Sequence, residues 1–237
     1  MPEPNDAGAR ATVPAEPTIG VVIPAWNAQE WISEAVQSAL VQRPRPIDVL
    51  VLDDGSTDET ASVARSFGAP VRVVSQPNGG IGAARNRGAQ LVRGDWIVFL
   101  DADDRLTADG LSCRIQALER NPGATIAFGA VRRFQHTSEG EPIAVDRLRP
   151  GPLPGAMLVS RETLARVGPF ATDTRVAEGL DWLLRARELG IAELTVDRQV
   201  YWRRVHGANN SLRHRESIGE FAHALKASLD RRRAAAQ

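Results

Sequence analysis

The 237-residue chain is 43% apolar and 24% charged, with 29 basic and 29 acidic side chains that cancel. This is the composition of an ordinary soluble globular protein, and the absence of a net field excludes a non-specific nucleic-acid binder and an acidic solvating tail. A single cysteine, Cys113, excludes an internal disulfide, no stretch reaches the apolar length of a membrane span, and Met1 to Glu16 lacks a signal-peptide core. The expectation is a cytoplasmic protein, with peripheral contact to a membrane left open.

Residues 1–16 are rich in Pro, Ala, Gly and polar side chains without periodicity and read as a disordered tail. One domain follows over 17–212, then a C-terminal helix and tail over 213–237. Ile19 to Pro24 is an apolar run, and Ala28 to Gln42 carries Trp31, Ile32, Ala35, Val36, Ala39 and Leu40 at helical spacing, with Asn27 as N-cap and Glu30 three residues on. Ile47 to Leu52 predicts a second buried strand. A helix over about 58–67 stops at Gly68, with Ser56 or Thr57 supplying its cap. Val71 to Ser75 predicts a third strand, Gly82 to Val92 a helix, and Trp96 to Leu100 a fourth strand. Such alternation implies parallel strands with right-handed crossovers, hence an α/β fold with helices on both faces of a Rossmann-like, mostly parallel mixed sheet.

Beyond residue 106 the alternation relaxes. Thr107 to Asn121 reads as a helix, Thr125 to Gln135 as a long strand, and His136 to Pro154 as a polar, Pro- and Gly-rich loop of the length that is usually functional. Short helices follow at Ser160 to Val167 and about 179–189. Ala192 to Val205 predicts a bent strand, and a last helix runs over about 216–233. Its Arg231-Arg232-Arg233 is most simply a solvated end that complements the helix dipole, with contact to anionic lipid the second reading.

Chemistry concentrates where apolar runs stop. Trp96-Ile97-Val98-Phe99-Leu100 ends abruptly on Asp101-Ala102-Asp103-Asp104. Carboxylates crowded at a strand end repel one another and suit a hard divalent cation, Mg²⁺ or Mn²⁺. Capping of the next turn is the bland alternative, and it serves best for Asp104. Leu52 likewise ends on Asp53-Asp54, either of which can accept from the N–H of a base edge. Trp26, just past the first strand, offers a stacking face or simple packing. Asn78-Gly79-Gly80-Ile81-Gly82-Ala83-Ala84-Arg85 lacks the third glycine of a dinucleotide fingerprint and does not follow the first strand, so that reading is rejected. A glycine-rich helix start with Arg85 one turn inside still suits a nucleotide or its phosphates.

Together Pro24-Ala25-Trp26-Asn27, Asp53-Asp54-Gly55-Ser56-Thr57-Asp58, Gly79 to Asn86 and Asp101-Ala102-Asp103-Asp104 resemble, in order and spacing, the family 2 glycosyltransferases, over roughly residues 18–206. The resemblance implies a nucleotide-diphospho-sugar transferase fold and metal-dependent, inverting transfer of a hexosyl or N-acetylhexosaminyl group. The donor is a nucleotide sugar, UDP-linked, and the acceptor is unidentified. By resemblance Pro24, Ala25, Trp26, Glu30, Asp53, Asp54, Gly82, Arg85, Asp101 and Ala102 hold the nucleotide, and Asp101, Asp103 and His206 hold the metal and diphosphate. The family commonly has Tyr where Trp26 stands. It also shows Glu-Asp at the start of a late helix, the Asp being the base, and here Gly179 takes that place. Glu178 and Asp181 are then the two candidate bases, three residues apart on one helix face. Two competing classes follow: a nucleotide-sugar-binding module without catalysis, and, ranked last, a sugar-phosphate nucleotidyltransferase, which would carry a Gly-rich basic loop in place of Pro24 to Asn27.

Overall fold

A computed structural model describes residues 17–136, 142–207 and 219–235. Three buried runs form β1 (Ile19–Ala25), β2 (Asp48–Asp53) and β4 (Trp96–Phe99), and a half-exposed edge strand forms β3 (Val71–Ser75), all parallel, in the spatial order β3-β2-β1-β4. Helices α1 (Ile32–Leu40), α2 (Thr60–Arg65) and α3 (Gly80–Leu91) connect them. Strands buried on both faces explain why β1, β2 and β4 read as continuous apolar runs rather than alternating ones.

The sheet then extends on the far side of β4. A two-residue strand β5 (Arg105–Leu106) precedes α4 (Gly110–Arg120) and the long β6 (Ile126–His136), against which β7 (Pro142–Ala144) and β8 (Arg149–Pro150) pair antiparallel. Strand β9 (Leu158–Ser160), antiparallel to both neighbours, joins β4 to β6. It leads into α5 (Arg161–Val167), whose N-cap Ser160 accepts from Thr163 N–H. After α6 (Glu178–Glu188), β10 (Glu193–Arg204) runs parallel to β6 and antiparallel to β5, and α7 (Gly219–Ala235) packs on α6. The mixed, mostly parallel sheet with flanking helices is the expected fold class, and register shifts between Val196 and Tyr201 supply the expected bend in β10.

Several local expectations are corrected. Helix α1 begins at Ile32, and Asn27 is no cap: its φ of 48° places it in the left-handed region, and its Oδ1 accepts from Thr57 N–H at 2.8 Å. Helix α2 is led by Asp58, whose carboxylate accepts from Thr60 N–H at 3.0 Å, while Ser56 Oγ turns back to accept from Asn27 N–H. The segment expected as a structureless loop over 136–154 contributes β7 and β8. Arg232 and Arg233 are exposed as expected, and Arg231, 39% exposed in its side chain, is also paired: its guanidinium spans both carboxylate oxygens of Glu188 at 2.6 and 3.1 Å. Residues 1–16, expected as a disordered tail, residues 137–141 of the expected 136–154 loop, and residues 208–218, with the expected start of the C-terminal helix, lie outside the described residues. Among the described residues no helix is long and apolar enough to cross a membrane.

The edge of the parallel layer is tied by Asp48. Burial opposes its charge, but Arg72 donates to both oxygens at 2.9 and 2.7 Å and Arg93 N–H adds a third bond at 2.8 Å, so its pKa ends below the ordinary value. A depressed native pKa means that the unfolded chain takes up the proton first on acidification. Asp48 therefore stabilises fully above about pH 4 and loses that contribution as pH falls through its lowered native value. Urea unfolding across this window should show a shallower pH slope in Asp48→Asn than in the parent chain.

Candidate active site

A cavity of about 1130 Å³ opens where β1, β2, β3 and β4 end. Ligands of open α/β sheets bind at this edge, outside the carboxyl ends of the strands. Its walls take Pro24, Ala25 and Trp26 from the end of β1, Asp54 from the end of β2, and Asn78 to Gly80 from the turn into α3. Arg85 adds a residue of α3, and Asp101 to Asp104 come from the turn after β4. The remaining walls are Pro152 to Gly155, Thr172 to Val176, the start of α6, Tyr201, Arg203 and His206 of the β10 end, and Phe221 of α7.

Trp26 is 48% exposed on this wall. Asp54 is buried and builds the glycine turn: its Oδ1 accepts from Gly79 N–H at 2.9 Å and Gln76 Nε2 at 2.7 Å, and its Oδ2 accepts from Gly80 N–H at 2.9 Å. It thereby places a carboxylate at the N-terminus of α3, where negative charge is favoured.

Arg85 lies at the centre, 4% exposed. Its guanidinium donates to Asp101 Oδ1 at 2.8 Å and to Glu178 Oε1. Burial alone would weaken its hold on the proton, and the charges of Asp101 and Glu178 more than offset that, leaving the pKa raised. Glu178 Oε2 is buried and has no hydrogen-bond partner among the described residues. One side chain of the glycine-rich segment thus joins the acidic turn to the first residue of α6.

The acidic turn is held from behind by β10. Asp104 N–H donates to Asp101 O, and Arg204 N–H donates to Asp104 Oδ1 at 2.7 Å, while Arg204 Nε donates to Asp103 O at 2.8 Å. The Tyr201 hydroxyl accepts from Asp101 N–H at 3.2 Å and also bonds the Asp104 carboxyl. Burial, then the charges of Asp103 and Asp101, push the Asp104 carboxyl well above the usual range. Asp104 is a buried anchor rather than a cap. Asp103 Oδ2 and His206 Nε2 stand 2.9 Å apart, with the imidazole packed on Trp31 at 4.0 Å between ring centroids.

No group of three ligating side chains converges among the described residues, so the protein alone forms no closed metal cage. The donor set nevertheless fits a divalent cation of the magnesium or manganese type. Such ions bind through one or two carboxylates and complete their shell with water and substrate phosphates, and His206 adds a nitrogen that Mn²⁺ accepts.

Of the residues proposed from sequence, Pro24, Ala25, Trp26, Asp54, Arg85, Asp101, Ala102, Asp103, Glu178 and His206 line the cavity. Four do not. Asp53 turns back to accept from Ser56 N–H at 3.1 Å. Glu30 stands on a separate shallow depression beside Asp58. Gly82 is packing: a Cβ there would sit 2.0 Å from Ala171 O. Asp181 faces away, bonded by Arg185 Nε at 2.9 Å and 3.6 Å from Arg231. Gly179 has a steric reason to be glycine, since a Cβ would lie 2.6 Å from Pro154 Cγ.

The model of the family described as "Glycosyl transferase family 2" matches residues 20–168, which hold every strand from β1 to β9. The chain belongs to glycosyl transferase family 2. Among its curated relatives, the chondroitin synthase of Escherichia coli is 40% identical over 104 residues, covering 43% of this chain and 15% of that protein. An uncharacterized glycosyltransferase of Haemophilus influenzae is 25% identical over 180 residues, 70% of this chain and 61% of that protein. The chain thus spans only a part of these relatives. Among solved structures, S. aureus TarS 1-349 in complex with UDP-GlcNAc superimposes with a TM-score of 0.69 at 18% identity, covering 89% of this chain and 65% of that one. That likeness establishes a shared fold.

Within this family 2 domain, sequence reasoning missed Tyr201, the 172–176 segment and Phe221. Tyr201 is the only tyrosine in the chain and stands five residues before His206, a signal that was available. Phe221 offered a weaker one, the four-residue spacing of Phe221, Leu225 and Leu229.

Proposed function

We propose that the chain transfers a hexosyl or N-acetylhexosaminyl group from a UDP-linked sugar to an acceptor, with inversion at the anomeric carbon and with Mn²⁺ or Mg²⁺ bound at the Asp103–His206 edge of the acidic turn, Asp101 serving the diphosphate end beside it. The observation that carries this reading is one cavity on whose walls a half-exposed indole, a buried arginine, two half-buried carboxylates and an imidazole meet. The UDP-GlcNAc bound by TarS and the name of the E. coli relative support the donor class.

Each group has a task in such a transfer. Trp26 stacks on the base, and the backbone of Pro24 and Ala25 floors the nucleoside. Arg85 keeps Asp101 oriented toward the diphosphate end. The divalent cation, when bound, supplies charge stabilisation to the departing nucleoside diphosphate. The acceptor hydroxyl needs a base on the opposite side of the sugar, and Glu178 is the candidate that lines the cavity. Its Oε1 is held by Arg85, which leaves Oε2 to take the proton. Asp181, turned toward Arg185 and Arg231, is assigned to holding α6 and α7 together.

A second reading, a nucleotide-sugar-binding module without transfer, is favoured by the ion pair that engages Glu178 Oε1 with Arg85. Calorimetric titration with UDP, with and without Mn²⁺, tests what the two share. Saturable binding that strengthens with Mn²⁺ is expected, and absence of binding in both conditions sinks both. Release of UDP from a panel of UDP-sugars then separates them, since only a transferase turns the donor over.

A further inference from the structure

We propose that the rim of the cavity docks on an anionic lipid bilayer through two segments, the β7–β8 region and helix α7. Among the described residues twelve large apolar side chains are more than one-third exposed, and seven of them fall on these two segments: Ile143, Val145, Leu148 and Leu153 on the first, Phe221, Leu225 and Leu229 on the second. Single exposed apolar residues are ordinary, but such clustering marks an interaction surface. Each segment also reaches the cavity, through Leu153 in one case and Phe221 in the other.

The geometry of α7 makes the arrangement specific. Phe221, Leu225 and Leu229 recur every four residues and so form one stripe. The adjoining face is already committed: Ala224 and Ser228 are buried, and Arg231 is paired with Glu188 on α6. At the start of the helix, Glu220 accepts from Arg175 and Val176 N–H at 2.7 and 3.1 Å, which fixes α7 to the cavity wall. The stripe is therefore presented outward by a helix that cannot roll.

Charge selects the occupant. The whole chain is neutral, yet the two segments stay net positive: Arg147, Arg149, Lys226, Arg232 and Arg233 are exposed, and with Arg231 they outnumber Asp146, Glu220 and Asp230, of which Asp146 pairs with Arg149 and Asp230 with Arg233. Apolar side chains flanked by arginine and lysine match the interface of a bilayer bearing anionic headgroups, where each basic residue near the surface adds to the attraction. A two-fold dimer through the same face would set the arginines of the two copies against one another. The docking surface is independent of the reaction assigned above.

The full chain without nucleotide is to be sedimented with phosphatidylcholine vesicles that contain or lack phosphatidylglycerol. Binding is expected with phosphatidylglycerol and not without it. Arg232→Gln with Arg233→Gln should weaken it by roughly thirtyfold, the worth of two surface charges at an anionic membrane. Leu225→Ser with Leu229→Ser, and separately Ile143→Ser with Leu148→Ser, should weaken it without changing the melting temperature or UDP affinity. Equal binding to both vesicle types, no binding to either, binding indifferent to all three variants, or a dimer in light scattering that the Leu225 and Leu229 changes dissolve would each overturn the proposal.

Discussion

Replacing Glu178 with Gln lowers turnover of the UDP-sugar by about two to four orders of magnitude, the usual worth of a positioned general base, while nucleotide affinity changes little. The side chain has a single defined setting: it opens α6, lines the cavity and gives one oxygen to Arg85. Glutamine keeps the shape, and its amide oxygen still accepts from Arg85, but it has no oxygen able to take a proton. Because Asp101 continues to neutralise the guanidinium, the fold survives the change. Asp181→Asn is the matched control. Asp181 is bonded by Arg185 outside the cavity, so its loss should leave turnover nearly unchanged and lower only the melting temperature. Retained turnover in Glu178→Gln would remove Glu178 as the base. Loss in Asp181→Asn with an unchanged melting temperature would transfer the role to Asp181.

The largest effect on stability is expected from Arg85→Met. Removing one member of a buried ionic group typically costs about 3–5 kcal/mol, because the partners stay buried with their charge uncompensated. Glu178 is the more exposed to this penalty: its carboxylate is 9% accessible, against 35% for Asp101, which water can partly serve. For a domain of this size the loss corresponds to a fall in Tm of roughly 10 °C. The cost should shrink when Arg85→Met is made in the Glu178→Gln background, where no second charge is stranded. Urea unfolding of the four proteins in that cycle measures the coupling directly. Equal costs in the two backgrounds would show that Arg85 acts through packing on Phe170, whose ring centroid lies 5.9 Å away, rather than through its charge.

The parallel half of the fold was legible because local signals suffice there. Strands buried on both faces are long apolar runs, and each ends on residues that cannot continue them, so Trp26, Asp54 and Asp101 announced themselves by position. The antiparallel half was less legible. Strands β5 and β9 are two and three residues long and exist through partners far along the chain, with no periodicity of their own. Asn27 read as a cap because its residue type suits one, yet the tertiary bond to Thr57 took its side chain. The site itself was legible as a list of residues and not as a set of pairings. Nothing in a linear sequence says that Arg85 will meet Glu178, 93 positions later, or that Asp53 and Asp54, adjacent and alike, will turn in different directions.

The latch between β10 and the acidic turn has a further consequence. Asp101 to Asp104 leave β4 early in the chain, but the atoms that fix their directions come from Tyr201 and Arg204, about a hundred residues on. Contacts of such separation close late during folding. The four-residue signature is therefore present in the nascent polypeptide long before it has a shape, and the directions of its carboxylates belong to the finished sheet. A signature of this kind, found in a chain that stops short of the equivalent of β10, would spell the motif without possessing the site.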